Sequence, residues 1–524
     1  MAPASLQSLS PFHLVCLFLA VTMLLWDTIE VGRNDAANLV NAVLGARVLR
    51  RRQAILIAGA AVVAGAFLSS KVIDTARKGI FDPTGLNTLE AALSIYISVY
   101  IVDTVLYSYS AFGMPVSTTA CLVFELLGAA LAIEHSTVNW GKAGTVVAAI
   151  VVSIMLSGFA AFLIQRAARG ALRDRTASLA PLLLHGGWIG GGLAAGLFYF
   201  LLLKGMKHVA WVKHFNQWLN RLDENSGMGV GSAFVVFFMW GVFAILIHLT
   251  LVVFRRRAAK LLFPTLAIVG MVAMAFAFGQ NDLANCASPG LSALALIRAQ
   301  NLELGTKVNI DSWMLLLCGL LLFAGMTTKN ADRVTKAAIS TGSMGDRVAL
   351  WAPQWCMGLA ERVLAVRSKA PALAPRAALT ATGKTVHFDT LRACVIMSVS
   401  ASVIATASSL GLPVSTTYVA FAAVVATGLA DRIFQRGDAV LKVGRAIWVV
   451  TSWFLSALIA VVATGLVATA LHQLSIIGVV ACVFVNLCVR QFLKRRADAQ
   501  EKRVEEAADE RAHPEWFALE EEDA

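Results

Sequence analysis

The sequence predicts an all-α, polytopic membrane protein with about 12 transmembrane helices in two inverted repeats, which contain broken helices and re-entrant hairpins. The chain has 524 residues, of which 58% are hydrophobic and 15% are charged, and its mean hydropathy is +0.71. A soluble domain carries roughly 25% charged residues. Apolar runs of about 20 residues, the length that spans a bilayer as a helix, recur along the sequence.

The repeats are predicted from two short phrases that each occur twice. Residues 32–38 read GRNDAAN and residues 279–285 read GQNDLAN, while residues 113–119 read GMPVSTT and residues 411–417 read GLPVSTT. Polar groups are costly in hydrocarbon, so matched polar phrases in apolar surroundings indicate a functional use. When a hydrophilic insert at 329–388 is set aside, the phrases of the two halves are separated by nearly equal lengths of chain.

These phrases and the charge pattern divide the chain into segments. We expect a first transport repeat at 1–165, connecting spans and an interfacial segment at 166–259, the first part of the second repeat at 260–328, a hydrophilic insert at 329–388, the remainder of the second repeat at 389–493 and a charged C-terminal tail at 494–524. The insert is rich in lysine and arginine, which predicts a cytoplasmic location.

The net positive charge of the chain is explained by the distribution of lysine and arginine beside its predicted membrane spans. Its net charge is +12, and the basic residues lie in short runs beside apolar spans, which is the positive-inside pattern. We therefore expect the lipid bilayer as a partner and no nucleic acid. The eight cysteines are scattered singly, as is typical of buried thiols. The sequence contains no Gly-x-x-x-x-Gly-Lys-Ser/Thr loop, so we expect no ATP hydrolysis. No nucleophile–base constellation supports an enzyme that uses Asp35 and Asp282 as an acid pair, so we expect neither enzymatic activity nor a cofactor.

The Asn–Asp phrases predict two cation sites. An aspartate at membrane depth needs a cation, a proton or a basic partner, and asparagine carbonyls are hard oxygen ligands. Each phrase is expected at a break in a helix, with 36–47 and 283–298 as the second halves. The alternative is a helix N-cap, where Asn and Asp are favoured. The candidate cation ligands are Asn34, Asp35, Asn38, Asn281, Asp282 and Asn285.

The Pro-Val-Ser-Thr-Thr phrases predict an anion site. They are expected at the tips of re-entrant hairpins, with the proline in the first turn of the following helix. Free N–H groups and hydroxyls at two helix starts would bind a tetrahedral oxyanion. The alternative is that the hydroxyls bond back to helix carbonyls. The candidate ligands of the anion are Ser117, Thr118, Thr119, Ser415, Thr416 and Thr417.

The two predicted sites are linked by charge. An anion between Asp35 and Asp282 would be repelled unless sodium ions or protons neutralised the two carboxylates. Cation and anion would then bind in a mutually dependent way, which is the thermodynamic basis of symport.

Further acids within the apolar spans occur only in the first half. Glu30, Asp103 and Glu125 are candidate coupling acids that would bind a proton or a further cation, and Asp27 lies in the same apolar stretch as Glu30. The alternative is a local salt bridge, for example with Arg33 or Lys71.

The four phrases in this order resemble the inorganic phosphate transporter (PiT) family of cation-coupled symporters. Residues 74–80, which read DTARKGI, also resemble a stretch that follows the second span in that family. The resemblance implies a phosphate site at the membrane midplane, coupling to sodium or protons, with sodium at Asp35 and Asp282, and a homodimer. It also implies a multi-pass protein of the cell membrane, expected to be a bacterial inner membrane.

Some residues depart from the pattern of the family. The glutamate that many members carry after the first Asn–Asp phrase is missing from 57–62, and Met397 and Ser398 stand where a second glutamate is usual. The position after the second Thr-Thr, often histidine, is Tyr418. A sulfate or other oxyanion permease of the same fold is therefore an alternative, and an anion channel is a more distant one.

Overall fold

The structure is a computed structural model. It describes residues 9–69, 83–173, 175–206, 210–226, 230–300, 302, 311–344, 350–367, 378–379, 385–435 and 438–512. These residues are almost entirely helical, which confirms the predicted all-α class. The exception is a short antiparallel ladder of two strands, β1 (Ala378–Leu379) and β2 (Thr385–Val386).

Fourteen helices form the described fold. The first seven are α1 (Pro11–Gly45), α2 (Arg51–Phe67), α3 (Leu89–Leu106), α4 (Thr118–Ile133), α5 (Trp140–Leu172), α6 (Leu179–Leu197) and α7 (Ala210–Ser226). The others are α8 (Val230–Ala299), α9 (Ser312–Met326), α10 (Lys329–Thr341), α11 (Gln354–Arg367), α12 (Thr390–Leu410), α13 (Thr416–Ala430) and α14 (Ala439–Ala512). A 3₁₀ turn, Tyr107–Phe112, extends α3, and a π-helical segment, Phe198–Gly205, extends α6.

The helices are long and apolar enough to make a multi-pass membrane protein. Seven described helices meet the length and hydropathy of a membrane span, and eight do so if α9 and α10, which meet at a 66° bend, form one span. Both α8 and α14 are interrupted once, at Arg255 and Ser475, where the backbone leaves helical geometry. Ile247 and Leu262 both lie against Gly190, so the two arms of α8 fold back on each other. The predicted total of about 12 spans stays a prediction.

The predicted breaks at the Asn–Asp phrases are wrong. The first phrase lies inside α1, which is helical from Pro11 to Gly45, and the second lies inside α8, whose described interruption is at Arg255. The aspartates are therefore neither helix caps nor next to freed backbone carbonyls.

The glycines of these phrases serve helix packing instead of a turn. A methyl group at Gly32 would lie 2.0 Å from the carbonyl oxygen of Leu322 on α9, and one at Gly279 would lie 2.2 Å from that of Val62 on α2. Each Asn–Asp helix thus packs backbone to backbone on a helix of the other half, as small residues permit between membrane helices.

The re-entrant hairpins are consistent with the structure. Helices α4 and α13 have 16 and 15 residues, and most residues of the turns before them, 113–117 and 411–415, are buried. Gly113 and Gly411 have φ angles of 67° and 70°, in the left-handed region that glycine adopts without strain. Both turns therefore reverse the chain inside the protein, where protein groups satisfy the non-helical backbone.

The end of the hydrophilic insert is attached to the end of α1. The His387 N–H donates to the carbonyl of Gly45 at 2.9 Å, and the Met344 N–H donates to the carbonyl of His387 at 2.9 Å. The imidazole Nδ1 lies 2.8 Å from the Ser343 hydroxyl. This imidazole is partly enclosed, and burial together with the positive charges of Arg47 and Lys442 lowers the pKa of His387 to about 4.

His387 should make the folded protein less stable at acidic pH. Below its ordinary pKa of 6.5 the imidazole takes up a proton in the unfolded chain but not in the fold, whose pKa is about 4. Its contribution is present above pH 6.5 and is lost as the pH falls to 4, by at most about 3 kcal/mol. His387→Asn keeps a partner for Ser343 but does not titrate. We therefore expect a shallower fall of melting temperature over this pH range, and an unchanged slope would contradict the assignment.

Candidate functional site

The asparagine of each Asn–Asp phrase holds the backbone of a re-entrant turn. The Asn34 side-chain N–H donates to the carbonyl of Val116 at 2.7 Å, and the Val116 N–H donates back to its Oδ1 at 3.1 Å. In the second half, Asn281 donates to Val414 at 2.6 Å and accepts from it at 3.4 Å. The same two-bond contact therefore fixes both turns against the helices that carry the aspartates.

Removal of this contact should weaken anion binding without unfolding the protein. Asn34→Ala and Asn281→Ala each leave one buried N–H without a partner and remove one of the bonds that the carbonyl of Val116 or Val414 accepts, at a cost of about 1–3 kcal/mol. The affinity for the predicted oxyanion should fall by roughly 10- to 100-fold. Titration of the detergent-purified variants with phosphate, the anion that the family resemblance implies, measures this affinity, with Asn87→Ala, an exposed position, as the matched control. Wild-type affinity in both variants would show that the clamps do not position the site.

Each aspartate is bound by the helix start of the opposite half. The Thr417 hydroxyl donates to Oδ1 of Asp35 at 2.7 Å, and the Thr118 hydroxyl donates to Oδ1 of Asp282 at 2.9 Å. From within the same phrases, Asn38 and Asn285 donate to the same two oxygens at 2.7 and 2.8 Å. The predicted cation and anion residues are therefore brought together, in two composite clusters that each draw on both halves.

Several oxygens in these clusters have no partner. Asp35 and Asp282 are 0% exposed, and among the described residues Oδ2 of each lacks a hydrogen bond, as do Oδ1 of Asn285 and the hydroxyl of Thr416. No salt bridge reaches either aspartate within the described ranges. Free, buried carboxylate, amide and hydroxyl oxygens are the hard donor set that suits an alkali cation. The residues that could hold sodium are Asp35, Asn38 and Thr417 in one cluster, and Asp282, Asn285 and Thr416 in the other.

The serines of the second phrase are helix caps. The hydroxyls of Ser117 and Ser415 accept from the amides of Ala120 and Tyr418 at 3.1 Å in both cases. The expectation that proline occupies the first helical turn is wrong, since α4 begins at Thr118, three residues after Pro115. Capping by serine leaves the first amides of each helix free for an anion.

The two helix starts also contact each other. The Thr119 hydroxyl donates to the carbonyl of Val414 at 2.9 Å, and that of Thr417 lies 3.5 Å from the carbonyl of Val116. The alternative role of these hydroxyls, bonding back to carbonyls of their own helix, is not what they do here. The positive ends of α4 and α13 therefore meet beside the two aspartates.

The predicted coupling acids differ in their surroundings. Glu30 pairs with Arg33 and, at 3.0 Å, with Arg490 of α14, so the alternative of a local salt bridge describes this residue. Asp103 and Glu125 have no such partner in the part of the chain that the structure covers. Lys71 and the stretch 74–80 lie outside the described residues.

Sequence reasoning missed Arg445. This buried guanidinium donates to the carbonyl of Gly113 at 2.7 Å and to that of Trp351 at 3.1 Å, so it supports the first re-entrant turn from α14. A lone arginine in the apolar run at 445–471 was a signal that could have identified it.

The fold and the duplicated clusters define a class of protein: a polytopic membrane transporter with two buried polar clusters, each built from both halves. The chain belongs to the phosphate transporter family, whose model matches residues 31–341 and 371–494. It is 26% identical over 449 residues to a protein of Pyrococcus horikoshii assigned as a phosphate permease, covering 83% of this chain and 93% of the relative. A Haemophilus influenzae protein with the same assignment is 25% identical over 437 residues, covering 81% and 89%.

A solved structure has the same fold. The chain is similar to the structure titled "The sodium-dependent phosphate transporter", with a TM-score of 0.59 and 22% identity, over 88% of this chain and all of that one (100%). At this level of identity the likeness concerns the fold, and the family match supplies the membership.

Proposed function

We propose that the chain moves inorganic phosphate across the membrane by symport with sodium or protons. One observation carries the proposal: two buried aspartates, each with a free carboxylate oxygen, are bonded to the helix starts of the opposite half. The names of the relatives and of the structural neighbour support phosphate as the cargo and sodium as one coupling ion. We further propose that the protein is not an enzyme and acts in the cell membrane of a bacterium, as a homodimer.

The charges of the site explain why the two ions should move together. Asp35 and Asp282 lie close enough to repel each other, and both are removed from water. Their repulsion would exclude an oxyanion from the adjacent helix starts of α4 and α13. Cations on the free oxygens cancel it, and a bound oxyanion in turn stabilises the cations. Occupancy by both ions is therefore favoured over occupancy by one.

The donor and acceptor set favours phosphate over sulfate. Monohydrogen phosphate carries a proton that needs an acceptor, while sulfate offers acceptors alone. The site supplies N–H and hydroxyl donors at the helix starts and, on Asp35 and Asp282, carboxylate oxygens whose second lone pair can accept this proton beside a bound cation. When sulfate binds, this buried acceptor has no proton to accept, which makes the binding free energy of sulfate less favourable than that of phosphate. The site can therefore discriminate between two anions of similar size.

The test is uptake of labelled phosphate and labelled sulfate into proteoliposomes, with sodium and pH gradients imposed one at a time. We expect accumulation of phosphate when at least one inward gradient is present and little accumulation without one. Sulfate accumulation in place of phosphate would support the sulfate permease. If either anion only moves down its own concentration gradient, and neither a sodium nor a pH gradient causes it to accumulate, the protein is a channel and the symport proposal is wrong.

A further inference from the structure

A group of buried acids lies outside the two Asn–Asp clusters and in the first half alone. Asp27 on α1, Asp103 on α3 and Glu125 on α4 are 0% exposed, and none of their carboxylate oxygens has a hydrogen-bond partner among the described residues. We call these three residues the acid cluster. At equal offsets from the repeated phrases, the second half carries Met274, Ala401 and Ala423. The duplicated site therefore does not account for these acids.

The acids converge in space. Carboxylate oxygens of Asp103 and Glu125, and the thiol of Cys121, all lie within 4.8 Å of one another. The Tyr107 hydroxyl, also buried and without a hydrogen bond of its own, borders Asp103. Asp27 is near enough to interact electrostatically with both acids. Three separate elements thus direct acidic side chains into one enclosed place.

This place has little countercharge. Arg490 of α14 acts on Asp27 from a distance but is bonded to Glu30 at 3.0 Å. Among the described residues, the other titratable groups near Asp27 outside the acid cluster are the hydroxyls of Tyr100 and Tyr107 and the thiols of Cys121 and Cys286, which are neutral in their protonated forms. Two adjacent carboxylates in a low-dielectric interior cannot both stay ionised, so the pair of acids must hold at least one proton.

The side chains around the acid cluster suit a proton better than a sodium ion. At Asp35 and Asp282, neutral amide and hydroxyl oxygens stand beside the carboxylate and complete a set of hard oxygen ligands for an alkali cation. Around Asp103 and Glu125 stand carboxyls, a phenol and a thiol, groups that themselves carry protons, and sulfur is a poor ligand for a hard cation. The acid cluster therefore differs from the Asn–Asp clusters in the chemistry of its side chains as well as in its position.

We propose that the acid cluster, centred on Asp103 and Glu125, is a proton-binding site that is loaded and unloaded during transport. A carboxylate oxygen of the pair accepts a proton delivered from the more acidic side, and the same O–H bond breaks when the proton leaves to the other side. The inference rests on the proposed phosphate transport and adds to it a coupling site distinct from the Asn–Asp clusters.

The test compares Asp103→Asn, Glu125→Gln and the double variant in proteoliposomes. Exchange of internal for external phosphate at equal pH needs binding and translocation but no net proton movement, and we expect it to stay close to the wild-type rate. Accumulation driven by a pH gradient without sodium should fall by roughly tenfold or more. Glu90→Gln, an exposed acid on the same helix α3, is the control that should change neither rate.

The outcomes separate this inference from the proposed function. A double variant that accumulates phosphate under a pH gradient as well as the wild type, or a wild type insensitive to pH gradients, would overturn the proton site. Stoichiometric divalent metal that is bound by the wild type and lost from the variants would overturn it too. Absence of phosphate exchange by the wild type would instead refute phosphate transport. If a variant fails to fold, the infrared band of protonated carboxyl groups in the wild type decides, because it must grow on acidification and shift in D₂O.

Discussion

Asp35→Asn and Asp282→Asn should each reduce gradient-driven phosphate uptake by roughly 100-fold or more. Each carboxylate accepts bonds from a threonine of the opposite half and an asparagine of its own phrase. Bonds to a charged group contribute about 1.5–3 kcal/mol each, and the amide that replaces the acid also lacks the charge that attracts the cation. Uptake of labelled phosphate under combined sodium and pH gradients measures the effect.

The matched control is Asp311→Asn, which changes an exposed aspartate before α9 whose side chain makes no capping bond. It should transport like the wild type. The double variant of Asp35 and Asp282 should be no worse than either single variant, because the proposed mechanism needs a cation at both aspartates and each single change already removes one. A double variant with wild-type uptake would remove the aspartates from the mechanism.

Gly32→Ala and Gly279→Ala should prevent the two halves from assembling. The added methyl groups would lie 2.0 Å and 2.2 Å from backbone oxygens of Leu322 and Val62, far inside van der Waals contact. Backbone atoms cannot rotate away, so the paired helices would have to separate along their whole contact, at a cost of about 3 kcal/mol or more. We expect loss of the monodisperse peak in size-exclusion chromatography and a lower melting temperature.

Two other glycines show whether the effect is specific to these contacts. A methyl group at Gly144 on α5 or at Gly241 on α8 would meet nothing within 4 Å. Gly144→Ala and Gly241→Ala should therefore give well-behaved protein, with stability unchanged or slightly raised, since alanine favours a helix more than glycine does. Equal damage from all four substitutions would contradict the packing argument.

The sequence indicated which phrases lie together better than it indicated the local backbone. The pairing of Asn–Asp and Ser-Thr-Thr phrases was visible because each occurs twice in apolar surroundings. The helix breaks were wrong because Gly, Asn and Asp together resemble a cap in local propensity. In the fold, Asn34 finds its partner 82 residues away at Val116, so a tertiary contact satisfies a side chain that would otherwise favour a helix end.

The crossing of the halves could not be predicted from the phrases. The bond from Thr417 to Asp35 joins residues 382 positions apart, and the repeat pattern is equally compatible with a threonine from the same half. Which helix start meets which aspartate depends on how the halves interlock, and that is decided by backbone contacts such as Gly32 against Leu322. The convergence of Asp27, Asp103 and Glu125 likewise follows from the helix arrangement and not from their spacing.

The bonds from Thr417 to Asp35 and from Thr118 to Asp282 make each half of the chain depend on the other. A polypeptide that held only one half would carry an aspartate without its threonine and a helix start without its aspartate. It would complete neither cluster, so we expect it to transport nothing. The two different halves, expressed as separate chains, could complete both clusters by associating. The rate of association and the ratio of the two chains would then depend on their concentrations. Joining them in one chain fixes the ratio at one to one and makes every encounter intramolecular. Co-expression of the two halves as separate chains should accordingly restore transport that neither half has alone.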